Sequence, residues 1–412
     1  MLVSVAWRNI WRNKLRSAVI IASFAIGIIG AAISDGFGAG MVDQRAASAI
    51  SNEVSNIQIH NPKFLLNQEL KYFVPHSSGI IDTIKTLPEV TGVSLRLEVN
   101  AMAASADAGA GVSLYGVEPE DERKVSVLHQ RITAGRYLEE PQKLPAVIGQ
   151  KLSKKLNLGL DDKLIVTLTD TTGTITSGAF NIVGIYKTDD DNFDVTHVYA
   201  KRNDLAKLVN YPQQVGNEIA ISLESDKETL PVLNKLKALF ANQIAEKEIS
   251  IQSWQQIEPL TKSMIDMMNY FSYLFLIIIL AALAFAIINT MLMSVMERTR
   301  EFGMLMALGM NKKKIFGMIM LETVFLSLIG GLIGLIISIV IVRYYAVNGL
   351  DLSSVAAGMN SIGYSSRIYF RVNPVFYFIS IVLVIILAIL SSISPALKAL
   401  KLQPATAIRS DN

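Results

Sequence analysis

The sequence contains no cysteine, which excludes disulfide bonds, thiolate chemistry and metal sites with cysteine ligands. It also lacks the G-x-x-x-x-G-K-S/T motif, so we do not expect the chain to bind ATP through a P-loop of its own. No nucleophile and base stand together in a recognisable pattern. A net charge of only +3 gives no indication of nucleic acid binding. We therefore predict that the chain is not an enzyme and binds no cofactor itself.

Candidate metal ligands are few and scattered. The four histidines have no metal-ligand spacing; they are His60, His76, His129 and His197. The acidic segment 189–194 has oxygen ligands at alternating positions, but it lacks the glycine and the closing glutamate of a calcium loop. We predict no metal site and expect this acidic segment to form a solvated turn.

Apolar residues, by contrast, are abundant. They make up 51% of the 412 residues, and the mean hydropathy of +0.39 indicates a membrane protein. A helix that crosses the ~30 Å hydrocarbon core needs about 17–25 apolar residues. The predicted membrane segments are 17–50 (first span with a helical extension), 261–296 (stalk and second span), 315–342 (third span) and 374–394 (fourth span).

The region between the first two spans, 51–260, has the alternating pattern of β-strands. Two similar strand–helix–strand segments, in 51–103 and 208–260, predict a split ferredoxin-like porter lobe. The residues between them, about 104–207, are strand-rich and predict an inserted β-rich lobe. The predicted fold class is an α-helical membrane protein with four transmembrane helices and a large α+β domain.

The second span is predicted to extend well beyond the bilayer. Residues 261–299 contain no proline or glycine, and as a helix they would be ~58 Å long. The ~30 Å core is about half that length, so we expect a stalk. Small residues at Ala282-x-x-x-Ala286 and Gly330-x-x-x-Gly334 predict close helix packing.

A charged segment, 297–314, separates the second and third spans. Glu297 and Glu301 are four residues apart with arginines between them, which favours a helix, and Gly309 stands where a C-cap glycine belongs. Two interpretations stay open: a plain juxtamembrane loop, or a helix whose apolar edge docks another protein. The predicted docking residues are Glu297, Arg298, Arg300, Glu301, Phe302, Met304, Leu305, Leu308 and Gly309.

Residues 1–16 combine an arginine stripe with tryptophans, which predicts an amphipathic helix at the membrane interface. The predicted interface residues are Trp7, Arg8, Trp11, Arg12 and Arg16. The alternative is the charged start of a signal peptide. Glu322 lies in the third span; an intramembrane acid is a functional candidate, although its place near the end of the span favours a structural role.

Charge also predicts the topology. Lysine and arginine are concentrated in 1–16, in 297–314 and in the tail 395–412, so these segments are expected in the cytoplasm. The large domain and the polar loop 343–373 are then outside, which in a Gram-negative cell means the periplasm. We expect a multi-pass protein of the bacterial inner membrane with both termini cytoplasmic.

Three segments resemble the permease subunits of MacB/FtsX-like ABC transporters, the type VII or mechanotransmission class. Residues 7–16 resemble the basic entry helix, 297–309 the coupling-helix signature and 395–409 the C-terminal signature. Met306 stands where a basic residue is usual. The resemblance implies a pair of permease subunits, identical or different, each bound to a cytoplasmic ATPase that holds ATP and magnesium. It also implies that the stalks transmit ATP-driven motion to the periplasmic lobes.

Within this class, the lipoprotein-releasing permeases are the closest in expected organisation. They lack a fused ATPase, and Asp35-Gly36-Phe37 resembles a Gly-Phe pair that they carry after the first span. This implies extraction of lipoproteins from the inner membrane, with a periplasmic lipoprotein carrier or an outer-membrane protein as a further partner. The alternatives are export of peptides or drugs to an outer-membrane duct, and FtsX-like activation of a cell-wall hydrolase. A membrane-anchored sensor without an ATPase is a third alternative from outside the family.

Acyl chains would need an apolar groove, and methionine surfaces adapt to varied apolar partners. The predicted groove residues lie on the stalk; they are Met264, Met267, Met268, Phe271 and Tyr273. The alternative, equally weighted, is that these residues pack against the stalk of a partner subunit.

Overall fold

The computed structural model describes residues 2–12, 14–138 and 143–400. The helices are α1 (Leu2–Arg12), α2 (Lys14–Ser48), α3 (Pro62–Asn67), α4 (Ser77–Lys85), α5 (Pro119–Val125), α6 (Gln150–Leu156), α7 (Asp191–Thr196), α8 (Arg202–Leu208), α9 (Thr229–Leu239), α10 (Ala241–Ala245), α11 (Trp254–Ile257), α12 (Pro259–Glu297), α13 (Thr299–Ala307), α14 (Lys312–Asn348), α15 (Ala356–Ser361) and α16 (Pro374–Leu400). The strands are β1 (Ile57–His60), β2 (Val90–Ala104), β3 (Gly109–Val117), β4 (Ile132–Gly135), β5 (Pro145–Gly149), β6 (Lys163–Thr169), β7 (Ile175–Tyr186), β8 (His197–Lys201), β9 (Glu218–Leu223), β10 (Ser250–Ser253), β11 (Leu350–Asp351) and β12 (Arg367–Ile368). A π-helical turn, Ala49–Val54, continues α2. Asn13 of the entry segment and residues 401–412 of the tail, which include 401–409 of the C-terminal signature, lie outside the described residues.

The chain forms two compact units. The membrane unit comprises Met1–Val42, Asp266–Asp351 and Arg367–Asn412. The α/β unit comprises Asp43–Ile265 and Leu352–Ser366. The segment 352–366 of the predicted polar loop therefore belongs to the α/β unit.

Four helices of the described chain are long and apolar enough to cross a membrane, as predicted: α2 with its π-helical turn, α12, α14 and α16. Close packing at Gly330 and Gly334 is confirmed, because a Cβ atom on Gly334 would lie 2.8 Å from the Cα of Ala25 in α2. The corresponding prediction for Ala282 is not met within the chain, since that residue is exposed. α12 packs instead through Leu283 and Ile287.

The helix boundaries differ from the predictions in three places. α12 begins at Pro259, because proline is well tolerated in the first turn of a helix. α14 continues to Asn348, and the following loop contains α15 and the β11–β12 pair. The fourth span was predicted at 374–394, but the helix that contains it, α16, continues past Pro395 to Leu400. The proline removes only one backbone hydrogen bond, and burial of Ala396 and Ala399 in the core of the membrane unit holds the last turns in place.

Half of the α/β unit is a ferredoxin-like fold, as predicted. Its sheet has the order β10-β1-β9-β2, and every neighbouring pair is antiparallel. α4 connects β1 to β2, and α9 connects β9 to β10. The apolar faces of these helices and strands share one core, which includes Ile59, Ile84 and Leu236.

The inserted lobe is a closed barrel. β2 pairs with β3 and β6, and the ring is completed by β8, β5 and β7. β2 belongs to both lobes: it pairs with β9 as far as Arg96 and with β3 from Leu97 onward. The lobe therefore begins inside β2, before the boundary predicted at residue 104.

The acidic segment 189–194 is not the solvated turn that we predicted. The Asp190 side chain caps α7 by accepting hydrogen bonds from the backbone N–H groups of Asn192 and Phe193. Asp194 is buried and accepts hydrogen bonds from the backbone and the hydroxyl group of Thr188. Burial raises the pKa of Asp194 to about 7. These carboxylates therefore have structural partners.

Candidate functional site

The connection between α12 and α14 forms a sharply defined helical turn, which we call the elbow (residues 298–311). Gly309 has a φ of +88°, and the amide of Met310 donates to the carbonyl of Leu305 at 2.9 Å. This is the left-handed C-terminal cap that glycine favours, so the predicted role of Gly309 is confirmed. Asn311 then caps α14 by accepting a hydrogen bond from Lys313. The predicted single helix from Glu297 is interrupted, because α12 ends there and α13 starts at Thr299.

A buried acid anchors the elbow. Nη1 of Arg298 lies 2.8 Å from one carboxylate oxygen of Glu322, and Nη2 of Arg16 lies 3.1 Å from the other. The side chains of Glu322 and Arg298 are only 3% and 6% exposed. Because an unpaired charge at this depth would be very costly, the arrangement favours the structural role that we expected for Glu322.

The ion pairs continue to the surface through Glu301. Its carboxylate accepts a hydrogen bond from Nε of Arg298 at 2.9 Å and also pairs with Arg12. Partial burial opposes ionisation, but the hydrogen bonds from Arg12 and Arg298 prevail and lower the pKa of Glu301. The resulting series Arg12–Glu301–Arg298–Glu322–Arg16 connects α1, α13, α14 and α2. Arg16, one of the predicted interface residues, lies in α2 and pairs with Glu322; its place at the membrane interface stays a prediction.

The outer face of α13 differs from the predicted apolar edge. Phe302 is buried, with an exposed fraction of 1%, and the Arg298 guanidinium lies over its ring. Leu305 and Met306 pack against the same core. Met304 and Leu308 remain exposed, at 52% and 85%. Other exposed members of the predicted docking set are Glu297, Arg300 and Gly309.

α1 lies along α14. Ala6, Asn9 and Ile10 are buried, and the Trp7 ring contacts Phe325 edge-on, with 5.6 Å between ring centroids. The exposed face of α1 carries four of the predicted interface residues, which are Trp7, Arg8, Trp11 and Arg12. Contact of this face with lipid headgroups stays a prediction.

The predicted groove residues do not form one surface. Tyr273 lines a cavity in the membrane unit. Met267 and Phe271 are exposed, and at 100° per residue they point about 120° and about 160° away from Tyr273 around α12. Met268 is half-buried, and Met264 belongs to the α/β unit.

The cavity has a volume of about 350 Å³ and lies among α2, α12 and α16. Its wall combines apolar residues with several polar ones; the polar ones are Ser34, Asp35, Asn269, Ser272, Tyr273, Asn373 and Ser380. The sequence prediction named Asp35 only beside the Gly-Phe pair that follows the first span and gave this acid no role. The signal that could have marked it is an acid inside a segment long enough to span a membrane.

Sequence reasoning also missed a buried charge cluster in the α/β unit. Nη2 of Arg45 lies 3.4 Å from Asp190 and donates to the hydroxyl of Thr261 at 3.1 Å, and Nη1 lies 3.7 Å from Glu53. A Cβ atom on Gly363 would lie 3.0 Å from the same guanidinium. The cluster therefore joins the end of α2, the start of α12 and the segment 352–366. Among the described residues, no group of three or more histidine or acidic side chains could hold a metal ion.

Comparison with known proteins gives consistent matches. Residues 273–404 match the FtsX-like permease C-terminal family. An uncharacterized ABC transporter permease of Methanocaldococcus jannaschii is 23% identical over 82% of this chain and 83% of its own length. The pyoverdine export ATP-binding/permease protein PvdT of Pseudomonas fluorescens is 23% identical over 99% of this chain. The lipoprotein-releasing system transmembrane protein LolC of Neisseria meningitidis is 23% identical over 58% of this chain.

The chain spans only 59% of the length of PvdT and 58% of that of LolC. Among solved structures, the periplasmic region of MacB from Actinobacillus actinomycetemcomitans aligns with 50% of this chain and 92% of that one, at 11% identity and a TM-score of 0.35. The segment that matches the family, 273–404, contains most of α12, the elbow, α14 and α16. Residues 273–404 thus match an FtsX-like permease domain, and the relatives that the chain resembles are ABC transporter permeases.

Proposed function

We propose that this chain is the permease subunit of an ABC transporter in which a separate cytoplasmic ATPase docks at the elbow. The observation that carries the proposal is the combination of an exposed apolar pair, Met304 and Leu308, with a rigid support beneath it. The two residues are four apart, so they share one face of the helix and its C-terminal cap. Arg298 and Glu322 fix the elbow to α14, so a force applied to α13 reaches the membrane helices.

The proposed topology follows from charge and from the number of spans. Both termini and the elbow lie in the cytoplasm, and the α/β unit lies on the other side of the inner membrane. Four candidate spans are consistent with both termini on one side, and the lysines that follow the elbow agree with the positive-inside rule.

We further propose that two permease subunits, identical or different, meet at α12. This helix is the least covered of the four candidate spans, since only 11% of its most apolar stretch is buried within the chain. Its exposed face includes Ala282, whose small side chain permits close approach of another helix. Met267 and Phe271 lie on the exposed surface of the same helix.

For the cargo, we propose lipoproteins or similar lipid-anchored molecules, which the α/β unit draws from the membrane when the stalks move. Each methylene withdrawn from lipid costs ~0.8 kcal/mol, so cargo with two or three acyl chains requires work of the kind that ATP hydrolysis supplies. A periplasmic carrier or an outer-membrane protein would receive it. The match to LolC supports this cargo. The longer match to PvdT supports export of a small molecule as the second candidate.

The test is affinity purification of the full chain from its native membrane, with Met304→Asp and Leu308→Asp introduced together. We expect the wild-type chain to retain an ATPase subunit and the double variant to lose most of it, because two charges would enter an apolar contact. Val355→Asp is the matched control: this residue is 53% exposed but lies in the segment 352–366.

Equal recovery of the ATPase with the double variant would refute docking at the elbow. The co-purified cargo then separates the two candidates. Lipid-modified proteins bound to the wild-type chain support lipoprotein release, whereas a bound small molecule without lipid-modified protein supports export.

A further inference from the structure

The cavity among α2, α12 and α16 has the composition of an amphiphile site. One end, beside the start of α16, has the polar residues Asp35, Asn269 and Asn373. The other end, about two to three turns further along α12 and α16, is mostly apolar, with Leu276, Ile379 and Leu383 around Ser380. Residues Val375 and Leu383 both line the wall, and eight residues of helix separate them by ~12 Å. At about 350 Å³, the cavity is in the size range of small-ligand sites.

The polar end lies at the depth of lipid headgroups. Asp35 and Arg16 are both in α2, nineteen residues apart, which corresponds to ~28 Å of helix. Because the hydrocarbon core is ~30 Å thick and Arg16 lies near one boundary with its partner Glu322, Asp35 lies near the other. The cavity therefore extends from the headgroup region into the acyl-chain region.

Asp35 has no ion-pair or hydrogen-bond partner in the part of the chain that the structure describes. This contrasts with Glu322, which has two arginines. Two amide groups lie in the same wall. Asn373 uses its side-chain oxygen to accept a hydrogen bond from Val375 at 3.0 Å, which leaves its NH₂ group available. The wall thus offers one anionic acceptor beside neutral donors.

We propose that this cavity binds a membrane phospholipid whose headgroup carries a primary ammonium group, such as phosphatidylethanolamine. The ammonium group donates to Asp35, the amide NH₂ groups of Asn269 and Asn373 donate to the phosphate, and an acyl chain lies against Leu276 and Leu383. A trimethylated headgroup has no N–H to donate, so it forfeits the charge-assisted hydrogen bond to the carboxylate. An anionic headgroup without an amine can accept hydrogen bonds from the two asparagines through its phosphate, but it has no ammonium group to pair with Asp35.

Occupancy of this site also has a structural effect. Gly38 in α2 is close to α12, since a Cβ atom there would clash with Oγ of Ser272, which lines the cavity. A lipid in the cavity contacts the three helices α2, α12 and α16 at once and fixes their spacing. The proposal does not depend on which cargo the transporter carries.

The test is native mass spectrometry of the full chain in detergent, with equal amounts of phosphatidylethanolamine and phosphatidylcholine of identical acyl composition. We expect the wild-type chain to bind one phosphatidylethanolamine with a preference of roughly tenfold, the ratio that one charge-assisted hydrogen bond can supply. Asp35→Asn keeps the size of the side chain, so it should still bind lipid but with a ratio near one. Asp43→Asn, an acid in the same helix that does not line the cavity, should keep the wild-type ratio.

Leu383→Trp supplies an independent check, because a larger side chain in the apolar end should displace one lipid of either headgroup. Equal binding of the two lipids by the wild-type chain would overturn the proposal. A preference that survives Asp35→Asn would overturn it as well, and so would tighter binding of phosphatidylglycerol than of phosphatidylethanolamine.

Discussion

Replacing Glu322 by alanine should destabilise the membrane unit strongly. The substitution leaves the guanidinium groups of Arg16 and Arg298 facing one another without the carboxylate that each contacts, at 3.1 Å and 2.8 Å. Removing one partner of a buried ion pair costs about 3–5 kcal/mol, because the remaining charge is left without compensation. For a unit of this size, each kcal/mol lowers the unfolding temperature by about 2–4 °C, so the expected decrease is about 6–20 °C.

The assay is thermal unfolding of the purified chain in detergent. Glu297→Ala is the matched control, since this acid is exposed one residue before the elbow, and surface substitutions usually change stability by less than about 0.5 kcal/mol. A triple variant separates charge from packing. If Glu322→Leu is combined with Arg298→Met and Arg16→Met, most of the lost stability should return, because apolar side chains of similar volume often replace a buried ionic group without loss.

A Glu322→Ala variant that melts within 2–3 °C of the wild-type chain would refute this account of the elbow. So would a triple variant no more stable than the single one, because the loss would then come from the shape of the site and not from the uncompensated charges. Wild-type stability with a lost ATPase partner would instead assign Glu322 to docking, against the burial of its side chain.

Two further predictions concern helix packing and pH. Gly334→Ala should destabilise the membrane unit by about 1–3 kcal/mol, because its Cβ atom would lie 2.8 Å from the backbone of α2. Gly317→Ala is the control and should be neutral or stabilising, because no other atom lies within 4 Å of the added Cβ. If thermal unfolding showed Gly317→Ala to be the less stable of the two variants, this interpretation of the helix contact would be wrong. In the α/β unit, burial and the nearby Glu218 carboxylate raise the pKa of Glu98 from 4.5 to about 7. The folded state therefore binds this proton more tightly than the unfolded state, so its contribution to stability is complete below about pH 4.5 and is lost as the pH rises through about 7. Thermal unfolding between about pH 5 and pH 8 should show this decline, and Glu98→Gln should reduce its slope; an unchanged slope would show that other groups cause it.

The parts of the fold that local pattern determines could be predicted from the sequence. The strands β1, β2, β9 and β10 alternate in polarity, and the helices between them have clear ends, so the ferredoxin-like lobe follows from segments of a few residues. The barrel could not be predicted in the same way. Its closure depends on β2 pairing with β6 and on β3 pairing with β8 in parallel, and these contacts join segments that no local pattern relates.

Pro395 shows how packing overrides a local signal. Proline removes one hydrogen bond from the helix interior and usually marks its end. The helix continues here because Ala396 and Ala399 are completely buried against the other helices of the membrane unit. That burial depends on neighbours that are distant in the sequence.

At the elbow, the sequence predicted the helix and its glycine cap but not the direction of each side chain. Phe302 and Met304 are both apolar and only two residues apart, yet one is 1% exposed and the other 52%. Two residues correspond to 200° around a helix, so Phe302 and Met304 lie on nearly opposite faces of α13. The ion pair between Arg298 and Glu322 fixes which of these faces is turned toward α14 and is buried. The position of that acid on another helix therefore selects which apolar side chains of α13 stay exposed.

The two acids within the apolar helices show why composition alone could not assign their roles. Glu322 and Asp35 both interrupt segments long enough to span a membrane, and an uncompensated charge is costly in either place. The fold gives Glu322 two arginines, one from α2 and one from the elbow. It gives Asp35 a cavity with amide groups and an open apolar end. A carboxylate therefore anchors the elbow through ion pairs at one end of the membrane unit and forms part of the proposed lipid site at the other. The difference lies in which helices the fold places beside each acid.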